Sequence, residues 1–227
     1  MKRLILIALA LFISACAAPK KEKDAEAYYN RGVAWQKKGD YDRAITDYTK
    51  AIELNPNLAM AYVNRGSAYL GKSLYDQVIS DCNKAIEINP KFAGAYVNRG
   101  HAYLGKGLYD QAISDCNKAI ELNPNLAMAY NNRAISYHMK GEYDKAWEDV
   151  HKAQSLGYQV SVIFLILLRE KSGFKDEQVG DLLGAEKAFE KNIYPQEACE
   201  EDCKKMFEEG TLRQGMTVEE CIKVLCL

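Results

Sequence analysis

Aromatic, small and apolar residues recur at fixed places within a 34-residue period along residues 25–158. Large aromatic residues stand at positions 4 and 11 of each period, and small or short apolar residues stand at positions 8, 20 and 27. Spacings of three, four and seven predict amphipathic helices, and large side chains opposite small ones favour close packing. The pattern predicts helix A near 25–38 and helix B near 41–54, with the same pair in each later period. The four periods begin at Ala25, Ala59, Ala93 and Ala127.

Proline closes three of the four periods at position 32, where a helix must end and the chain must reverse. These residues are Pro56, Pro90 and Pro124. The fourth period has Tyr158 there instead, which indicates the end of the array, since terminal repeats are usually atypical.

The period and its residues resemble the tetratricopeptide repeat, a 34-residue helix–turn–helix unit. This resemblance covers residues 25–158 and implies an all-α fold, a solenoid of four stacked helix pairs. The implied repeats are 25–58, 59–92, 93–126 and 127–158.

Arginine at position 7 and aspartate at position 23 occur together in every repeat. The two positions lie at about the same height in an antiparallel helix pair, and a half-buried guanidinium needs a carboxylate. We therefore expect a structural ion pair between helices A and B, either within a repeat or across to its neighbour. The residues are Arg31 and Asp47, Arg65 and Asp81, Arg99 and Asp115, and Arg133 and Asp149.

A hydrophobic helix is expected to cap the array at residues 159–173. Its segment VSVIFLILLREKSG is too short to span a bilayer and leaves almost no polar side. A helix that is apolar all round must be covered all round. Either residues 174–227, a helical C-terminal extension with its own apolar stripe, fold over it, or a partner subunit does so and forms a homodimer.

The N-terminus is typical of a bacterial lipoprotein precursor. Lys2 and Arg3 precede a short apolar run, and Ile13-Ser14-Ala15-Cys16 resembles a lipobox. The resemblance implies a signal peptide over 1–15, a diacylglyceryl group on Cys16 and a lipidated tether over 16–24. The alternative is an ordinary signal peptide with an incidental cysteine.

Four of the seven cysteines lie in the C-terminal extension. Cys199 and Cys203 share a helix face, and Cys221 and Cys226 follow a turn-forming segment, so the sequence predicts a helical hairpin. Antiparallel folding would pair Cys203 with Cys221 and Cys199 with Cys226, one of three connectivities. An exported protein can keep such bonds oxidised, while a four-thiolate zinc site and free thiols are the alternatives.

Composition and motifs indicate neither an enzyme nor a nucleic-acid-binding protein. The chain has 30 basic and 31 acidic residues, a net charge of −1, and no basic patch interleaved with aromatic residues. Its three histidines lack fixed acidic or nucleophilic partners, and no catalytic or phosphate-binding motif occurs. We expect no catalytic residues, no cofactor and no resident metal.

Binding is expected in a concave groove lined by the A helices. Asparagine occupies position 6 of every repeat, and a carboxamide can both donate to and accept from a peptide backbone. The row is similar to the asparagine ladder of the O-linked N-acetylglucosamine transferase superhelix and to chaperone-binding clamp domains. Those clamps place Lys at position 2, which this chain lacks, so the resemblance does not extend to chaperone tails. The alternative is that these amides brace neighbouring helices. The predicted groove residues are Asn30, Asn64, Asn98, Asn132, Tyr29, Val63, Val97, His101 and Asn131.

Together these features predict a membrane-anchored scaffold or adaptor that binds a peptide or amphipathic helix of another envelope protein. Ala17 follows the lipidated cysteine where Asp would favour the inner membrane, so the expected location is the outer membrane, facing the periplasm. Similar lipoproteins act in outer-membrane protein assembly, pilus secretin assembly or the guidance of peptidoglycan hydrolases. The alternative function is a structural module that dimerises through residues 160–173.

Overall fold

A computed structural model describes residues 20–173 of the chain, and these residues form nine α-helices and no β-strand. The predicted all-α repeat fold is therefore confirmed. The helices are α1 (Lys20–Lys37), α2 (Tyr41–Leu54), α3 (Ala59–Leu70), α4 (Tyr75–Ile88), α5 (Ala93–Gly105), α6 (Tyr109–Leu122), α7 (Ala127–Met139), α8 (Tyr143–Ser155) and α9 (Val162–Ser172).

Helices α1 to α8 form four consecutive hairpins, each consisting of one A helix and one B helix. Each A helix packs against the B helix of its own repeat, and each B helix packs against the A helix of the next repeat. Successive A helices also contact one another, whereas no two successive B helices make comparable contact within residues 20–173. The A helices therefore lie on the inner side of the array.

A residue with positive φ joins each A helix to its B helix at position 15 of the repeat. Gly39, Gly107 and Gly141 have φ values of 77°, 74° and 79°, while Ser73 has φ 55° in the second repeat. Glycine adopts this left-handed conformation without the steric cost that a Cβ atom imposes. Ser73 therefore bears a strain that the other three turns avoid.

An Asn-Pro sequence joins each of the first three B helices to the following A helix. Asn55, Asn89 and Asn123 end their helices in extended backbone. Their side-chain Oδ1 atoms accept hydrogen bonds of 3.0–3.1 Å from the backbone N–H two residues later. This Asx turn and the proline together end the helix and reverse the chain.

Small residues at the predicted contact positions bring the helices of a pair close together. Alanine or valine at position 20 and alanine at position 27 have no solvent exposure in all four repeats. In the first repeat, Tyr48 is completely buried against Gly32, and a Cβ atom added to Gly32 would lie 2.7 Å from the Tyr48 ring. In the second repeat, Cys82 replaces the tyrosine, and a Cβ atom on Gly66 would lie at an ordinary 3.5 Å.

Helix α1 begins earlier than the sequence pattern predicts. Residues 20–24, assigned to the tether, are already helical in the structure. The run of charged residues contains good helix formers and continues the helix beyond the repeat boundary.

Helix α9 begins one residue inside the next 34-residue period and takes the place of a fifth A helix. Phe164, Leu165 and Leu168 are buried at the same positions that are buried in the earlier A helices. Ile163 and Leu167 remain 40% and 38% exposed, so the four repeats alone do not cover the whole of this helix.

Candidate functional site

The surface of the A helices is the candidate site, and it combines the exposed parts of positions 2, 5, 6, 9, 12 and 13 of each repeat. We call this surface the A-helix face. The helix register places these positions away from the partner B helix, since the arginine at position 7 pairs with an aspartate of that helix and Ala68 and Ala102 at position 10 pack against the preceding repeat.

The four predicted asparagines have different surroundings. Asn30 is exposed. Asn64 donates from Nδ2 to the hydroxyl of Tyr29 at 3.0 Å, and Asn98 donates to the backbone carbonyl of Val63 at 3.2 Å. Asn132 is only 3% exposed, and its Nδ2 atom has no hydrogen-bond partner among the described residues. Asn64 and Asn98 thus brace the preceding A helix, as the alternative interpretation of the sequence proposed.

Three other predicted groove residues lie largely beneath the surface. Val63, Val97 and Asn131 are 7%, 5% and 7% exposed. Position 5 packs between successive repeats, so these side chains offer little area to a ligand. Tyr29 is half-buried beside the Tyr48 ring, with the two ring centroids 5.9 Å apart.

The exposed part of the A-helix face comes mainly from residues outside the predicted set. Met60 and Met128 at position 2 are 50% and 46% exposed, and Met139 at position 13 is 52% exposed. Of the predicted residues, His101 is exposed at the middle of the face. Methionine is flexible and polarizable, so it suits a surface that adapts to its ligand. The sequence signal for Met60 and Met128 was their place at position 2, where clamp domains carry lysine.

Apart from two histidines, the described A-helix face of repeats two to four carries no ionisable acidic or basic side chain. Each of the helices α3, α5 and α7 contains a single Asp, Glu, Lys or Arg residue, namely the arginine at position 7. Partial loss of solvation lowers the pKa of His101, and burial together with the ammonium of Lys171 lowers the pKa of His138. Both imidazoles are therefore neutral at pH 7.

The structure brings each position-7 arginine together with the aspartate of its own repeat. Nε and Nη2 donate to the two carboxylate oxygens of Asp47, Asp81, Asp115 and Asp149 at 2.6–2.8 Å. In repeats two to four, Nη1 also donates to position 25 of the preceding B helix, which is Thr49, Asn83 or Asn117. Each of these arginines thus joins three helices and directs its charge into the array.

Lysine–aspartate pairs join neighbouring repeats at the edge of the array. Lys72 pairs with Asp42, Lys106 with Asp76, and Lys140 with Asp110. The aspartates are 80–84% exposed, so these contacts contribute little stability in water.

The described cysteines are structural. Cys82 and Cys116 are free, fully buried thiols, and burial raises the pKa of each to about 12. No group of three metal-binding side chains occurs in residues 20–173. None of the helices in this part of the chain has the length and apolar character needed to cross a membrane.

Several predicted features lie outside the described residues. These are the signal peptide at 1–15, the lipid attachment at Cys16, and the extension at 174–227 with Cys199, Cys203, Cys221 and Cys226.

A sequence model of the tetratricopeptide repeat matches residues 25–58, 59–92 and 93–126. A second model of the same repeat matches residues 116–148. No curated protein matches the chain.

Solved structures resemble the chain over the repeat region. The first tetratricopeptide domain of Spaghetti (RPAP3), bound to the HSP90 peptide SRMEEVD, is 32% identical, with a TM-score of 0.50 over 52% of this chain and 95% of that chain. MamA from Desulfovibrio magneticus is 28% identical, with a TM-score of 0.54 over 61% and 77% of the two chains. A thermophilic repeat protein of Thermus thermophilus is 25% identical, with a TM-score of 0.56 over 65% and 80%.

Proposed function

Because the chain belongs to the tetratricopeptide repeat family, a family of protein-interaction scaffolds, we propose that it is a lipid-anchored adaptor of the bacterial envelope. In this proposal the A-helix face holds a segment of a partner protein, and Cys16 fixes the array to the membrane. The function needs no catalytic step.

The observation that carries the binding proposal is the exposed, adaptable surface of the A helices. Met60 and Met128 stand at equivalent places two repeats apart, and His101 lies between them, all without charge at pH 7. The RPAP3 domain, which is similar over the same repeats, holds a peptide of HSP90. That likeness supports a peptide or helix as the ligand rather than a small molecule.

Photo-crosslinking in cells tests the binding proposal. A crosslinking amino acid replaces Met60 or Met128, and matched controls carry it at Glu87 or Glu121, which are well exposed on B helices. We expect Met60 and Met128 to capture neighbouring parts of one partner segment and the controls to capture nothing from that protein. Capture from the B-helix positions alone would contradict a role for the A-helix face.

The lipid anchor is tested separately with Cys16→Ser. The precursor should then remain uncleaved and lose metabolic labelling by radioactive palmitate, because the acyl chains need the Cys16 thiol. The matched control Cys82→Ser retains both cleavage and labelling. Unchanged labelling of Cys16→Ser would refute lipidation at this residue.

A second candidate function is self-association through α9. It is favoured by the exposed apolar pair Ile163 and Leu167, which lie one helical turn apart. Sedimentation over a range of concentrations, with the wild type and an Ile163→Gln/Leu167→Gln variant, separates the two functions. Dimers that the double substitution dissociates would favour self-association.

A further inference from the structure

We infer that the A-helix face of repeats two to four binds a partner segment whose contacting side chains are uncharged and mainly apolar. This inference rests on the proposed function and specifies its partner class. It also excludes acidic chain ends, such as the SRMEEVD peptide held by the similar RPAP3 domain, from this face.

The first argument is the distribution of charge. Charged residues make up 27% of the chain, yet each of α3, α5 and α7 has only its position-7 arginine. These three guanidinium groups are 16–19% exposed and already bind an aspartate and a side chain of the preceding repeat. Helices α3, α5 and α7 themselves therefore offer no free guanidinium or ammonium that could pair with a carboxylate of a ligand.

The second argument is the cost of placing a charge on such a surface. A ligand carboxylate or ammonium held against it would lose hydrating water without gaining an ionic partner. An apolar side chain loses no such interaction and gains free energy with each unit of apolar area removed from water. The face thus discriminates against charged segments by leaving their charges unpaired.

The third argument is the shape of position 2 along the array. Met60 and Met128 project on either side of Gly94, which has no side chain and is half-buried. A Cβ atom added to Gly94 would lie 3.4 Å from the Phe92 ring and 3.9 Å from Val63, so apolar groups surround this place. Position 2 of the three repeats therefore offers a ligand two exposed methionines and no side chain at Gly94 between them, which favours apolar side chains in the partner.

The fourth argument is that polar groups on the face are neutral. Asn64 and Asn98 use their Nδ2 atoms within the array, and no hydrogen bond to either Oδ1 atom is found among the described residues. A carboxamide oxygen accepts two hydrogen bonds, so these atoms can receive N–H groups of a bound backbone. They provide orientation without requiring a charge in the ligand.

Panning of a random 12-residue phage-displayed library tests this inference. The bait is the full lipidated chain in phosphatidylcholine nanodiscs, and empty nanodiscs are used for subtraction. The matched variant is Met60→Lys/Met128→Lys, which introduces cations at two exposed sites and is checked for folding by thermal melting. The readout is the frequency of charged residues in the enriched peptides.

We expect wild-type binders to be depleted roughly threefold in Asp and Glu and enriched in apolar residues, and the lysine variant to reverse this preference. Acidic binders selected by the wild type would overturn the inference but leave the proposed function in place. Two results would overturn both this inference and the proposed function. One is a set of binders that the Met60→Lys/Met128→Lys variant still selects unchanged, and the other is no enrichment over empty nanodiscs. Enriched peptides that match residues 160–168 would identify a second copy of the chain as the occupant and overturn the assignment to a partner protein.

Discussion

At the scale of single residues, Asp115 illustrates how burial determines the importance of an ion pair. Asp115 and Arg99 are 8% and 19% exposed at their side chains, so Asp115→Ala leaves a guanidinium that water hardly reaches. We expect a loss of about 3 kcal/mol in the free energy of unfolding, measured in urea. Asp47→Ala is the matched control, because the Arg31 side chain is 59% exposed and can be hydrated. Equal losses in the two variants would contradict the argument from burial.

The turn residue Ser73 gives a prediction in the opposite direction. Its φ of 55° is the left-handed conformation that glycine adopts at the same position in the other three repeats. Ser73→Gly should therefore stabilise the protein by on the order of 1 kcal/mol, observed as a higher melting temperature. Gly107→Ser is expected to destabilise by a similar amount, and a neutral result for both would show that this turn relaxes without cost.

Sequence periodicity identified which residues share a place in the repeat, but not where each side chain binds. The joint recurrence of Arg and Asp indicated a pair and left open whether it forms within a repeat or between repeats. The structure has it within the repeat and adds Thr49, Asn83 or Asn117 from the preceding one. The asparagines at position 6 gave no such guidance, because an amide that braces a neighbouring helix and one that faces a ligand have the same spacing.

At the scale of helix pairs, the first and second repeats solve the same packing problem differently. Gly32→Ala would place a methyl group 2.7 Å from the buried Tyr48 ring, whereas Gly66→Ala meets Cys82 at 3.5 Å. We expect the first substitution to cost about 1–3 kcal/mol and the second to be neutral or stabilising. Adding Tyr48→Cys to Gly32→Ala recreates the second repeat's combination and should relieve the clash. A urea-unfolding cycle of the single and double variants measures this coupling.

The docking of α9 on the fourth repeat should depend on pH through His138. This imidazole lies 5.6 Å from the rings of both Tyr143 and Phe164, and its buried Nδ1 atom has no hydrogen-bond partner among the described residues. Burial and the ammonium of Lys171 lower its pKa, so the folded state favours the neutral form. The stability that neutral His138 contributes is therefore fully present above its unfolded pKa of about 6.5, and it is lost as the pH drops below that value.

Trp147 reports this change, because its indole N–H donates to Ser172 at the end of α9 at 3.0 Å. In a Trp35→Phe background, we expect the emission of Trp147 to shift to longer wavelength between pH 7.5 and 5.5. His138→Gln should abolish the shift, while the matched variant His101→Gln should retain it. A shift that survives His138→Gln would assign the pH response to another group.

Hydrophobic patterning predicted the helices well where the repeat is regular and less well at its ends. Helix B of the first repeat was predicted near 41–54 and spans Tyr41–Leu54, whereas helix A was predicted to begin near 25 and is helical from Lys20. The segment 159–173 was predicted to be a cap because arrays of this repeat normally end with a helix that covers the last repeat, and its uniform apolar character hides any periodicity. Only the buried positions of Phe164, Leu165 and Leu168 reveal that it continues the 34-residue register.

At the scale of the whole repeat region, the substantial helix contacts among the described residues lie within a repeat or between adjacent repeats, so stability is built up repeat by repeat. Each repeat is stabilised by its own helix pair and by the interfaces with the repeats beside it. The second and third repeats have an interface on both sides, and the fourth is covered by α9. Within the described residues the first repeat has one neighbour, and its Arg31 side chain is 59% exposed, against 16–19% for the equivalent arginines.

Native-state hydrogen exchange should therefore show a gradient along the chain rather than one uniform value. We expect the amides of α5 and α6 to exchange most slowly and those of α1 and α2 to exchange fastest, because local opening of an end repeat breaks a single interface. Gly32→Ala should accelerate exchange in α1 and α2 and leave α5 and α6 nearly unchanged, with Gly66→Ala as the control that alters neither. Equal acceleration of all the helices by Gly32→Ala would mean that the repeats unfold as one cooperative unit. In that case the strain of Gly32→Ala in the first repeat would destabilise the whole A-helix face. If the repeats instead open one by one, the central part of that face, around Gly94 and His101, stays ordered while the first repeat opens.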